Sequence, residues 1–158
     1  MIKRFFTILI CLPLFSSCDY DSIVYDNFTD IKDSKWSETD TLAFEFDIDD
    51  NNYLYTIYLN LRVTNDYKYS NIYLQAALGA SFEKAKFKRE HILLATPEGK
   101  WLGSGKGKIV TLQLPLYQEV QFNAPSTYKV QLSQEMRDAL LENITSVGIM
   151  VKKGNPVF

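Results

Sequence analysis

The sequence has few of the residues that build metal and disulfide sites. Among 158 residues it contains two cysteines, Cys11 and Cys18, and one histidine, His91. A structural zinc site needs four cysteine or histidine ligands, so this count excludes one. A nucleophile activated by histidine would depend on His91, which lies in a stretch of strand-forming residues where a structural or exposed position is usual. The sequence therefore predicts no catalytic residue, no metal ligand and no cofactor.

The chain also lacks an obvious membrane-spanning run and an excess of basic charge. The apolar stretch Phe5–Phe15 is well short of the roughly 20 residues that cross a bilayer as a helix. The 17 lysine and arginine side chains are outnumbered by 19 aspartate and glutamate side chains, for a formal net charge of −2. That balance gives no support for nucleic-acid binding or for a polybasic membrane patch.

The amino terminus instead carries the pattern of a bacterial export signal. Two basic residues precede the apolar run Phe5–Phe15, and two serines follow it directly before Cys18. This order predicts a signal peptide over residues 1–17, and a cysteine directly after two small residues is typical of a lipoprotein signal. Cys18 is then the lipidation site and the first residue of the mature chain. A plain secretory peptide is the alternative, and Phe15, where such signals usually carry leucine, is a mild departure.

Lipidation at Cys18 has consequences for the mature chain. Removing 17 of the 158 residues leaves 141, a length suited to one domain. Lys3 and Arg4 leave with the signal, so 15 basic side chains remain against 19 acidic ones and the net charge becomes −4. Cys11 also leaves, and the folded part then has no thiol. Two or more acyl chains hold a protein firmly on a membrane, so a diacylated Cys18 predicts a lasting anchor.

The mature chain divides into a polar segment and a strand-rich domain. Residues 18–35 hold five aspartates against two lysines, which predicts a loosely ordered acidic tether. The domain then covers residues 36–158. Within it, alternating apolar and polar residues predict strands at Leu42–Ile48 and Tyr53–Val63. The turn Asp49–Asn52 between them predicts an antiparallel hairpin.

Further short alternations along the domain complete an all-β pattern with one exception. Residues 134–143 are predicted to form a helix with Ser133 as its N-cap, because Met136, Leu140 and Ile144 are four residues apart. Eight or nine short strands and one small helix near the carboxyl terminus predict an antiparallel β-sandwich of jelly-roll type.

Two loops match ligand-binding motifs only in part. Gly103–Gly107 has the glycines of a phosphate-binding loop, but a strand follows where such a loop needs a helix. Asp47–Asn52 has the first acids of a calcium loop, but it lacks glycine at the sixth position and has Tyr58 where a glutamate belongs at the twelfth. Both segments are interpreted as turns. Carboxylate pairs for glycoside hydrolysis are not singled out by their spacing.

The aromatic residues are the more suggestive group, since six of the ten tyrosines lie between Tyr53 and Tyr73. Exposed tyrosines on a sheet can stack on sugars or contact a protein partner. The alternative is that these rings pack in the core and around a turn, because strands are rich in aromatics for packing reasons alone. The candidate partner or glycan surface comprises Tyr58, Tyr67, Tyr69, Tyr73 and Trp101.

A series of residues spread over nearly the whole mature chain carries a family resemblance. The series is Trp36, Asp40, Phe44, Tyr53, Leu61-Arg62, 66–71, 99–107, Tyr128, Met136-Arg137, Leu140 and Val147-Gly148. No single piece is a strong motif. Their order and spacing, together with the lipoprotein signal, resemble the gliding-motility lipoprotein family GldH.

The resemblance implies an outer-membrane lipoprotein of Bacteroidota-type bacteria, needed in gliding members for surface motility and the associated secretion machinery. It carries over no catalytic residue. Asp21-Ser22-Ile23 and Asp40-Thr41-Leu42 look like the O-glycosylation signal of such bacteria, which makes Ser22 and Thr41 candidate modification sites. Mainly structural roles are expected for Arg62, Asn71 and Arg137.

The function predicted from these observations is non-catalytic. A β-sandwich domain held on the periplasmic face of the outer membrane by lipidated Cys18 would act through contacts with other envelope proteins of a motility and secretion complex. The alternative is a lipid-anchored carbohydrate-binding or glycan-handling accessory module. An enzyme that uses paired carboxylates is the third hypothesis, and a cleft with two converging acids of raised pKa would support it.

Overall fold

The computed structural model describes residues 22–80 and 86–157, and within these ranges the chain is built almost entirely of strands. A single 3₁₀ turn at Lys32–Ser34 separates the first two strands. The strands are β1 (Ile23–Asp30), β2 (Lys35–Ser37), β3 (Leu42–Ile48), β4 (Tyr53–Thr64), β5 (Asn71–Gly79), β6 (Lys88–Leu93), β7 (Ser104–Lys106), β8 (Ile109–Gln121), β9 (Ser126–Gln134), β10 (Leu140–Glu142) and β11 (Ile144–Pro156).

The strands form two main antiparallel sheets. The larger sheet has the order β1-β11-β4-β8-β7, the smaller has the order β3-β9-β5-β6, and β10 pairs separately with β2. Apolar side chains of both sheets share one buried core. The predicted all-β, antiparallel, sandwich-like fold is therefore confirmed.

Alternation along each strand places one face in the core. Ile57, Leu59 and Leu61 of β4 are fully buried, as the period-2 pattern predicts. Burying each such side chain contributes about 1.5–3 kcal/mol. Phe122 links the two sheets, because its ring lies 5.3 Å from that of Tyr55 in β4 and 6.1 Å from that of Phe46 in β3.

The predicted hairpin of β3 and β4 is wrong. β3 pairs with β9 in the smaller sheet, whereas β4 pairs with β11 and β8 in the larger one. The turn between them therefore crosses from one sheet to the other. Both strands have one apolar face, and placing them in different sheets buries both faces in the shared core. The Tyr55 hydroxyl donates a 2.6 Å hydrogen bond to the carbonyl of Asp50 and fastens this crossing.

The predicted helix over residues 134–143 is also wrong. β9 continues to Gln134, a bend follows, and β10 begins at Leu140. Gln134 is 3% exposed, and its side chain takes up backbone groups that a helix would pair internally. The side-chain oxygen Oε1 of Gln134 accepts a hydrogen bond from the Met136 N–H at 2.7 Å, and its side-chain nitrogen Nε2 donates to the backbone carbonyl of Asp138 at 2.9 Å.

The predicted tether over residues 18–35 needs correction from Ile23 onward, because β1 is an edge strand of the larger sheet that pairs with β11. Phe28 of β1 lies opposite Gly148, where a Cβ atom would stand 2.9 Å from the ring. The Arg62 guanidinium covers the same ring at 4.0 Å. Residues 18–21, including Cys18, and the predicted signal peptide 1–17 lie outside the described residues.

Candidate functional site

The structure distributes the five predicted surface aromatics over three places. Tyr67, Tyr69 and Trp101 come together, with ring centroids of Tyr67 and Tyr69 5.9 Å apart and those of Tyr67 and Trp101 6.5 Å apart. Tyr58 lies in β4 of the larger sheet and Tyr73 in β5 of the smaller sheet. Tyr67 is buried and the other four are half-buried. These residues therefore do not form one exposed aromatic row, and their role as a partner or glycan surface stays a prediction.

Tyr67 has a structural environment. Burial raises the pKa of its hydroxyl far above the usual value, with smaller contributions from Tyr69 and the Asp138 carboxylate. The hydroxyl donates to the carbonyl of Asn71 at 3.3 Å. Because the phenol is buried and hydrogen-bonded, it holds the loop before β5 in place rather than presenting a reactive group.

The glycine-rich segment is a strand connection, as the sequence predicts. β7 begins at Ser104, and Gly107 turns the chain into β8 with a φ of +71°, a backbone conformation that favours glycine. Gly99, with a φ of +84°, closes a turn in which its N–H donates to the carbonyl of Thr96 at 2.9 Å. The described segment has no helix after the glycines, so it lacks the element that a phosphate-binding loop needs.

An open groove of about 450 Å³ lies on the outer face of the smaller sheet, and we call it the Tyr73 groove. In β5, Tyr73 projects away from the core while its neighbours Ile72 and Leu74 are fully buried. The bend after β9 supplies Glu135, Met136 and Arg137 to one side of the groove. The lining residues are Tyr69, Asn71, Tyr73, Arg89, Glu135, Met136 and Arg137.

One wall of the Tyr73 groove is a packed stack of planar groups. The His91 ring lies 4.6 Å from the Tyr73 ring at an angle of 18°, and the Arg89 guanidinium lies 4.2 Å from the same ring. His91 and Arg89 both belong to the edge strand β6. The His91 Nε2 atom is 2.9 Å from the side-chain amide nitrogen of Asn71. The Tyr73 ring is thus already in contact with protein groups.

The opposite wall is held by the bend after β9. The Tyr73 N–H donates to the sulfur of Met136 at 3.2 Å, and the Glu135 N–H donates to the Tyr73 carbonyl at 2.8 Å. Arg89 Nε lies 2.9 Å from Glu135 Oε2, an atom that is buried but receives no aligned hydrogen bond. We therefore treat this contact as an electrostatic pair.

A second ion pair lies beside Tyr69, one of the lining residues. Asp138 accepts a hydrogen bond from the Tyr69 hydroxyl at 3.0 Å and pairs with Lys68. The hydrogen bond from Lys68 lowers the pKa of Asp138 below its usual range, and the hydrogen bond from Tyr69 makes the second contribution. The same carboxylate raises the pKa of Lys68. Both groups therefore remain charged near neutral pH.

Arg137 differs from the other charged residues of the groove. It is exposed, and its side chain has no hydrogen-bond or ion-pair partner within residues 22–80 and 86–157. No contact within the described part of the chain therefore supports the mainly structural role expected for Arg137. Arg62 does have a structural contact, over the Phe28 ring. Nothing in the sequence distinguishes Arg137 from Arg62, because the bend that directs Arg137 to the groove depends on the side-chain bonds of Gln134.

Other kinds of site receive no support from the part of the chain that the structure describes. Its residues contain no group of three or more histidine, cysteine, aspartate or glutamate side chains placed to hold a metal ion. In the same residues, no helix is both long enough and apolar enough to pass through a bilayer.

Comparison with known proteins gives a consistent result. The family model described as GldH lipoprotein matches residues 23–151. A protein of Christiangramia forsetii named "Gliding motility lipoprotein GldH homolog" is 32% identical over 157 residues, covering 95% of both chains. The protein of Flavobacterium johnsoniae named "Gliding motility lipoprotein GldH" is 27% identical over 159 residues, covering 96% of this chain and 98% of its own. No solved structure shows a significant match. Since the family model spans the described domain almost from end to end, the chain belongs to the GldH lipoprotein family.

Proposed function

We propose that this chain is an outer-membrane lipoprotein, anchored through Cys18 on the periplasmic face, that acts without catalysis as a component of a gliding-motility and associated protein-secretion assembly. The observation that carries the proposal is the match of both relatives, named as gliding motility lipoproteins, along nearly the whole chain. The lipoprotein pattern that ends at Cys18 supports the anchor.

The charged groups of the domain support a non-catalytic role. A general acid at neutral pH needs a raised carboxyl pKa. The pKa of Asp138 is lowered by Lys68, that of Asp50 by the Asn52 backbone N–H, and that of Glu98 by the Thr96 hydroxyl. These carboxylates are therefore biased toward the charged form, which suits ion pairing better than proton donation.

Protein contacts are favoured over the carbohydrate-binding alternative. A sugar platform needs an aromatic ring with a free face, and Tyr73 is already packed by His91 and Arg89. Tyr67 is only 4% exposed. No observation therefore favours a glycan over a protein as the main partner.

Affinity capture tests the proposed assembly. The tagged full chain, crosslinked in its source bacterium and captured from membranes, should bring down a reproducible set of envelope proteins that includes motility or secretion components. A tagged, unrelated outer-membrane lipoprotein of similar abundance is the matched control, because it shares the anchor but not the domain. Recovery of the same proteins with both baits, or of none with this chain, would contradict the proposal.

We also propose O-linked glycosylation at Ser22 and Thr41. Thr41 is exposed directly before β3, and Ser22 is half-buried directly before β1. The intact mass of the mature protein should exceed that of the lipidated polypeptide, and the Ser22→Ala, Thr41→Ala double variant should lose the excess. A wild-type mass equal to the lipidated polypeptide alone would reject the modification.

A further inference from the structure

We infer that the Tyr73 groove is a binding site for a carboxylate group on an acidic peptide segment of a partner protein, and that Arg137 is its main contact. The inference rests on the proposed function, because it assigns a chemistry to one of the contacts through which the domain would act.

One cationic side chain of the groove, that of Arg137, has no anionic partner within residues 22–80 and 86–157. Arg89 is paired with Glu135, and Lys68, which lies over the ring of the lining residue Tyr69, is paired with Asp138. Arg137 is the remaining charged residue of the lining, and it has no partner among the described residues. The groove thus has a surplus positive charge on a chain whose net charge is −2. Such a local surplus attracts an anion and repels other cations.

The chemistry of arginine suits an anion with two parallel oxygens, and in an unmodified peptide that group is a carboxylate. The planar guanidinium offers parallel N–H donors that match the two oxygens of a carboxylate, which gives direction as well as energy to the contact. The backbone next to Arg137 is fixed, because the buried side chain of Gln134 holds the Met136 N–H at 2.7 Å and the Asp138 carbonyl at 2.9 Å. A fixed backbone lowers the entropy lost when the side chain binds.

The remaining lining suits a peptide. Met136 and the Tyr73 ring supply apolar surface, and the Glu135 carboxylate supplies an acceptor for a backbone N–H. Because His91 and Arg89 already pack on Tyr73, the ring is a wall for a side chain rather than a free platform for a sugar. The groove is open to solvent along the outer face of the sheet, so an extended segment can enter from the side.

Binding of labelled peptides to the purified full chain, followed by fluorescence anisotropy, tests the site. A ten-residue glutamate-rich peptide with an amidated carboxyl terminus presents only side-chain carboxylates, and its glutamine counterpart with a free terminus presents only the terminal carboxylate. We expect at least one of these to bind, and which one binds identifies the source of the carboxylate. The amidated glutamine peptide should not bind.

Substitutions at two groove positions should shift the affinity in opposite directions. Arg137→Ala should weaken binding at least tenfold. Arg137→Lys should give an intermediate loss of affinity, because lysine keeps the charge but lacks the parallel N–H donors of the guanidinium. Glu135→Gln should strengthen binding severalfold, since it removes a competing carboxylate and releases Arg89. Lys32→Ala, which removes an exposed cation in the turn between β1 and β2, should leave the affinity unchanged.

Several results would overturn the inference: equal binding by the wild type and Arg137→Ala, an equal loss in Lys32→Ala, weaker binding in Glu135→Gln, or no binding of either carboxylate peptide at millimolar concentration. Binding of an acidic polysaccharide without binding of the peptides would do the same. Far-UV circular dichroism establishes whether each variant is folded. If Arg137→Ala is not folded, the affinity of Arg137→Lys tests the inference in its place. Failure here leaves the affinity capture result standing, so the two proposals fail separately.

Discussion

Replacing Trp36 with alanine is expected to lower the free energy of unfolding by about 3–5 kcal/mol, the usual cost of deleting a large aromatic side chain from a core. Trp36 lies in β2, is fully buried, and faces Leu141 of β10, which is also fully buried. Its indole N–H donates to the carbonyl of Asp40 at 3.1 Å. Small domains are stable by about 5–15 kcal/mol in total, so this one change removes a large share.

Urea unfolding followed by far-UV circular dichroism measures the effect. With a slope of about 2 kcal/mol per molar urea, a loss of about 4 kcal/mol lowers the midpoint by about 2 M. Trp101→Ala is the matched control, because Trp101 is the other tryptophan and is only half-buried. We expect it to lose less than half as much. Equal losses in the two variants, or an unchanged midpoint for Trp36→Ala, would contradict the full burial of Trp36 in the core.

The strands that could be predicted from the sequence are those with one strongly apolar face. β4 is the clearest case, since its alternation from Tyr55 to Val63 coincides with the buried face. Strand alternation does not report the partner of a strand, however. The same pattern that identified β3 and β4 therefore led to a hairpin, although the two strands lie in different sheets.

The elements missed by the sequence depend on contacts between distant residues. β1 is polar along much of its length, and what makes it a strand is its pairing with β11 and the fit of Phe28 against Gly148. The predicted helix failed for a related reason. Leu140 and Ile144 are four residues apart, but they enter two different strands, because the side chain of Gln134 stabilises a bend before them.

The Tyr73 groove could not be predicted from the sequence either. Its walls come from β5, β6 and the bend after β9, and the register that sets Tyr73 beside His91 is a property of the folded sheet. The tyrosine-rich stretch did draw attention to Tyr69 and Tyr73. The sequence does not give the burial of these rings, and burial decides whether a ring packs in the core, lines the groove or has a face free for a ligand.

Replacing Cys18 with alanine is expected to remove the protein from the outer membrane. The anchor predicted at this residue carries more than one acyl chain, and each buried methylene contributes about 0.8 kcal/mol to membrane binding, so two or more chains hold the protein firmly. Cys11→Ala is the matched control, because Cys11 lies within the predicted signal peptide and should leave with it.

The measurement is metabolic labelling with an alkyne analogue of palmitate, combined with density-gradient separation of the membranes. The wild type and Cys11→Ala should be labelled and should be found in the outer-membrane fraction, and Cys18→Ala should be unlabelled and absent from that fraction. An unlabelled wild type, or a Cys18→Ala variant that stays in the outer membrane in the wild-type amount, would contradict the lipid anchor on which the proposed function depends.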